Sequence, residues 1–129
     1  MNRSHNPSHI APPFKNRYSH GIEVAAGARM LFTAGTVGTK PDGSIPTDFA
    51  EQVETVMQSL TAILQAAGMD WPDVVKLNGY LTPQGDIPKF AEIRAKYLAG
   101  HKPAMTVIWV PGLADPRWMV EVELVAAAA

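Results

Sequence analysis

Apolar positions recur along this chain at two periods, and the switches between them divide it into short alternating elements. His20 to Ala25 and Met30 to Gly35 are brief apolar runs separated by Ala26-Gly27-Ala28, a pattern that predicts a hairpin. Thr39 to Pro46, with Pro41, Asp42 and Gly43, reads as a loop. The period then lengthens. Phe49, Val53, Val56, Met57, Leu60, Ile63, Leu64 and Ala67 form one helical stripe, with Asp48 as N-cap, Glu51 as its capping-box partner and Gly68 just past the end. Val74 to Leu81 predicts a strand and Thr82 to Gly85 a turn. Asp86 caps a second helix that tolerates Pro88 in its first turn, and Gly100 ends it. Its apolar face is Phe90, Ile93, Tyr97 and Leu98, with the cation Arg94 at the edge. Met105 to Val110 and Trp118 to Val125 are two more strand-like runs, separated by a turn over Pro111 to Pro116. The four terminal alanines are expected to fray.

The element order is ββαβαββ, which predicts an α/β (α+β) domain with a single mixed sheet. Right-handed crossovers place both helices on one face of it. The other face then stays uncovered, and self-association is the natural remedy if apolar side chains line it. Residues 1–16, with Pro7, Pro12 and Pro13, read as an extended N-terminal arm, and 17–129 as one domain.

Composition narrows the function classes. The chain has 129 residues, net charge −1, 18% charged residues and no cysteine, so thiolate metal sites, disulfides and cysteine nucleophiles are excluded. Lysines and arginines are scattered, which gives no electrostatic reason for a nucleic acid or anionic membrane partner. The amino-terminal residues lack the apolar core of a secretory signal, and no apolar run is long enough to span a bilayer, so a cytoplasmic location is expected. His5 and His9 have i, i+4 spacing without a third ligand, and no metal site is expected.

The last strand carries the most informative chemistry. Trp118, Val120, Val122 and Leu124 alternate with Met119, Glu121, Glu123 and Val125, which puts two carboxylates about 7 Å apart on the uncovered face. They are either solvated groups on an edge strand or a general acid or base in a pocket. Thr106 is the single polar side chain of the preceding strand, so that strand is expected to be central or at an oligomer interface. Trp109 and Trp118 read as core or interface anchors.

Several segments together, in order and spacing, resemble the Rid (reactive intermediate deaminase) family, RidA- or YjgF-like and also labelled endoribonuclease L-PSP. They are Arg17-Tyr18-Ser19-His20, Leu31-Phe32-Thr33-Ala34-Gly35, Ala66-Ala67-Gly68, Asp73-Val74-Val75-Lys76, Leu81-Thr82, Lys102-Pro103-Ala104-Met105-Thr106-Val107 and Val120-Glu121-Val122-Glu123-Leu124-Val125. The resemblance implies a chorismate-mutase-like fold, a homotrimer whose sheets form a central barrel, and small-molecule pockets between subunits. It further implies cofactor-independent, metal-independent hydrolysis of reactive imines and enamines. By position it makes Glu121 and Tyr18 the catalytic candidates, with Glu121 placing the attacking water, and Gly35, Met105, Thr106 and Val107 the substrate-binding ones. The family's deaminases carry at position 105 an arginine that grips the substrate carboxylate. Methionine offers an apolar stem and no donor, and nothing in the sequence places Arg17, Arg29, His101, Lys102 or Arg117 in its stead. The expected activity is therefore deamination with altered specificity; the alternative is a ligand-binding or scaffold trimer without catalysis.

Overall fold

The computed structural model describes all 129 residues. In chain order the strands are β1 (Arg3–His5), β2 (Gly21–Glu23), β3 (Arg29–Phe32), β4 (Thr36–Val37), β5 (Val74–Leu81), β6 (Ala104–Trp109) and β7 (Val120–Ala128). The helices are α1 (Phe49–Ala66), between β4 and β5, and α2 (Ile87–Leu98), between β5 and β6. Both start where their caps require: the Asp48 and Asp86 side chains accept hydrogen bonds from the backbone N–H groups of Glu51 and Lys89. Gly68, at φ +69°, closes α1 with two reversed bonds, from its own N–H to the Gln65 carbonyl and from the Met69 N–H to the Leu64 carbonyl. At the end of α2 the left-handed turn begins one residue earlier than expected, at Ala99 (φ 48°), and continues through Gly100.

The five-stranded sheet has the order β3-β7-β5-β6, with β4 also paired to β7. Only β5 and β6 run parallel. Val53, Val56, Met57, Leu60 and Leu64 of α1 and Phe90, Ile93 and Leu98 of α2 share one core with Leu77, Leu81, Val120, Val122 and Leu124 of the sheet. Both helices thus cover the same face. Burying these side chains completely contributes roughly 1.5–3 kcal/mol each. The buried Gln52 of α1 adds a polar knot: it donates to the carbonyls of Pro46 and Arg117 and accepts from the Met119 N–H, fixing where β7 enters the sheet. Gly38 must be glycine there, because a Cβ would lie 2.8 Å from that of Gln52.

Four expectations change. The predicted first hairpin does not form: a turn at Ala25–Ala28 is present, but β2 pairs with β1 and β3 with β7. The arm over residues 1–16 is accordingly part strand, held back on the domain by the ladder from Arg3–Glu23 to His5–Gly21. The terminal alanines do not fray, because Ala126, Ala127 and Ala128 pair with Leu31, Met30 and Arg29, and the first two are buried. Finally, β7 is central and β6 is an edge, so Glu121 and Glu123 are not edge-strand carboxylates and the more apolar strand is the one with an unpaired side. Nor is the uncovered face uniformly apolar. Its centre carries Lys76, Asn78, Tyr80, Glu121 and Glu123, while Met30 and Phe32 stand on one rim and Ile108 on the other.

Candidate active site

The β7 alternation sends Val120, Val122 and Leu124 into the core and leaves Glu121 and Glu123 half-buried on the open face. Tyr80 of β5, directly opposite Glu121 in the ladder, donates its hydroxyl proton to Glu123 over 2.5 Å. That bond, withdrawal from water and the two carboxylates all favour the neutral phenol, and they raise the Tyr80 pKa above 10.0. Glu123 therefore has a partner within the chain.

Glu121 is held differently. Val37 of β4 is its ladder partner, and the segment leading into β4 brings Gly35 beneath its side chain. A Cβ on Gly35 would lie 1.9 Å from Glu121 Oε2 and 2.8 Å from its carboxyl carbon. No residue with a side chain fits at position 35 without displacing the carboxylate. No hydrogen bond within the chain ties Glu121, which leaves its oxygens available to a water or a ligand.

The other candidates gather elsewhere. The Tyr18 hydroxyl accepts from the Phe14 N–H at 3.2 Å, and its ring meets His20 edge-on. The next residue, Ser19, donates its N–H to the Pro103 carbonyl and its hydroxyl to that of Lys102, which fastens this segment to the start of β6. Met105 and Val107 pack against the core on the helix-covered side. Thr106 points the other way and accepts from Lys76 Nζ at 3.1 Å.

One chain therefore brings Glu121 and Gly35 together, and separately Tyr18 with the start of β6, but does not join the two groups. Glu121 aligns with Tyr80 and through it with Ile108. Met105 lies three residues earlier, two strands away and on the opposite face. Strand geometry separates the two α-carbons by about 14 Å. Among the cations considered as substitutes, Arg117 is engaged by Asp115 at 2.7 Å and Arg29 by the carbonyls of Ala67 and Ala129. Arg17, His101 and Lys102 line a cavity beside α2 together with Arg94. The sequence reading left Arg94 at a helix edge; the structure buries it. Its signal was a cation four residues after Phe90, adjoining the apolar positions of Ile93 and Leu98.

No group of three or more histidine or acidic side chains is arranged to hold a metal ion. No helix is long and apolar enough to cross a membrane.

The profile of the family described as Endoribonuclease L-PSP matches residues 9–128. Protein DfrA of Myxococcus xanthus is 33% identical over 121 residues, covering 92% of this chain and 90% of its own. The 2-iminobutanoate/2-iminopropanoate deaminase of Mus musculus is 32% identical, covering 90% and 84%. Among solved structures, the Rid-family protein YyfB of Yersinia pestis, of unknown function, superposes with a TM-score of 0.86 at 30% identity over 98% of both chains. Escherichia coli TdcF with bound serine gives 0.73 at 26%, covering 96% and 94%.

Proposed function

The chain belongs to the Rid (endoribonuclease L-PSP) family, and on that premise we propose that it hydrolyses an imine, enamine or related reactive carbonyl compound in pockets completed between the subunits of a homotrimer. The observation that carries this reading is the Glu121 carboxylate lying on the bare backbone of Gly35, unpaired and turned to the open face. A base in this position takes a proton from water as the water oxygen adds to the C=N carbon. With a protonated imine this gives a carbinolamine; Glu121 returns the proton to nitrogen and accepts the hydroxyl proton as the C–N bond breaks, so that ammonia and a carbonyl product leave and the proton passes to ammonia. Each step uses only side chains and water.

The separation of about 14 Å on opposite faces supports an intersubunit pocket: Glu121 and the Tyr18–Met105 group serve one substrate only if adjacent chains each contribute one of them. The exposed apolar residues Met30, Phe32 and Ile108 on the rims of the open face, and Trp109 at the end of β6, are suited to such contacts. Met105 gives that side an apolar, donor-free wall, so short 2-imino acids lose a grip on their carboxylate of order 2–5 kcal/mol.

The test is ammonia release from imines generated in solution. Glu121→Gln should lower kcat by roughly 10²–10⁴-fold while the melting temperature stays near that of the unsubstituted protein; a fully active Gln variant would overturn the mechanism. Activity toward 2-iminopropanoate should be low and should rise in Met105→Arg. Light scattering should return three times the 13.9 kDa chain mass.

A further inference from the structure

A second feature lies on the helix-covered side, away from Glu121. Between α2 and the segments 16–17 and 100–102 is a cavity of about 320 Å³, within the range of small-molecule sites. Three cations, Arg17, Arg94 and Lys102, line it beside His101, with Ala91 and Leu98 as apolar wall. His101 is already committed through Nε2 to the Val74 carbonyl at 2.7 Å.

Arg94 is only 6% exposed, and its guanidinium stacks 5.2 Å from the centre of the Phe90 ring. No carboxylate of the chain pairs with it; the six ion pairs involve other groups. Glu92, the one acid lining the cavity, is exposed and engaged by Lys89 at 3.2 Å. Burial, and then the like charge of Arg17, lower the Arg94 pKa to about 10. The chain leaves no fully enclosed polar atom unpaired, so the unpaired guanidinium nitrogens are those that still reach the cavity. A buried cation held beside a second cation, with no anion, is an arrangement that a folded protein retains at a cost.

We propose that this cavity is an anion-binding site, in which the Arg94 guanidinium grips a carboxylate or phosphate group of a small molecule and Arg17 neutralises it from the rim. Both anions match the planar fork of an arginine. The site lies apart from Met105, which is not among the residues that line it. It rests on the surroundings of Arg94 and not on the role of Glu121, so the two readings fail separately.

The experiment is calorimetric titration of the intact protein with pyruvate in one arm and inorganic phosphate in the other. At least one should bind, and the arm that responds identifies the anion. Arg94→Met should raise Kd roughly thirty-fold or more, Arg17→Met by a smaller factor, and Glu121→Gln should leave Kd unchanged. The binding anion should raise the melting temperature of the unsubstituted protein and not that of Arg94→Met, and Arg94→Met should melt higher than the unsubstituted protein without anion. Should Arg94→Met fail to fold, Arg94→Lys, which keeps the charge and loses the fork, should still weaken binding. The proposal is overturned if neither anion binds at millimolar concentration or if Arg94→Met binds like the unsubstituted protein. It is also overturned if Arg94→Met loses stability and falls to a smaller oligomer, since the partner of Arg94 would then be a carboxylate of an adjacent chain.

Discussion

Strands β6 and β7 flank the same neighbour, β5, and meet opposite surroundings. The β7 strand is paired along both sides, with one face in the core and two glutamates on the other. The β6 strand is paired on one side only, and its side chains are half-buried or exposed although five of the six are apolar. Composition alone would have exchanged them. Apolar content reports how much of a strand will eventually be covered, by its own chain or by another. It does not report where the strand lies in its own sheet.

Substitution can break that contrast. Its largest expected signature is thermodynamic. Leu124→Ala, in the β7 core face, should cost about 2–5 kcal/mol, whereas Ile108→Ala on β6 should leave the stability of the isolated fold within about 0.5 kcal/mol. Urea unfolding of both variants measures the difference, and equal losses would mean that the β6 edge is structural within the single chain. Gly35→Ala comes next. Its Cβ would displace the Glu121 carboxylate, so turnover should fall about 100-fold, equivalent to about 2.7 kcal/mol, with a smaller change in melting temperature. An active Gly35→Ala enzyme would show that the carboxylate works from another position. Ile108→Lys should act on assembly: its light-scattering mass should decline on dilution at concentrations where that of the unsubstituted protein is constant.

The smallest effect concerns the open face of β7. Tyr80 has a pKa raised in the fold, chiefly by its hydrogen bond to Glu123. The stabilisation is therefore complete below the unfolded tyrosine pKa of about 10 and is lost as pH rises through the higher folded value. Tyr80→Phe should melt lower near neutral pH, by less than about 1 kcal/mol because the pair is open to water. The gap should narrow above pH 10. A constant gap would mean that the bond does not favour the neutral phenol.

Much of this was legible in the chain because it depends on near neighbours. The stripe from Phe49 to Ala67, the Asp48 and Asp86 caps, the Gly68 stop and the bounds of β5 are local properties, and the structure reproduces them. Alternation also assigned the faces of β7 correctly, since side-chain direction follows from the strand itself. Strand neighbours did not follow. Pairing β2 with β1 and not β3, and extending β7 over the alanines to meet β3, are long-range choices that no local pattern encodes. The site divides in the same way. Glu121 was conspicuous as a carboxylate among apolar residues, but that Gly35 supports it directly required coordinates. Arg94 looked like an ordinary cation on a helix edge because the cavity that surrounds it is built from segments far apart in sequence.

The central position of β7 also bears on how the protein is made. During synthesis β3 and β4 emerge before β5 and β6, and the strand that joins the two groups emerges after all of them. Until it arrives only β5 and β6 can pair, with a bare backbone edge and an apolar face exposed at once, while β3 and β4 have no strand to pair with. Such a topology has high contact order and a late, all-or-none closing step. It should depend on chaperones at the ribosome exit, and a stalled or prematurely terminated chain should aggregate in place of forming a partial native domain.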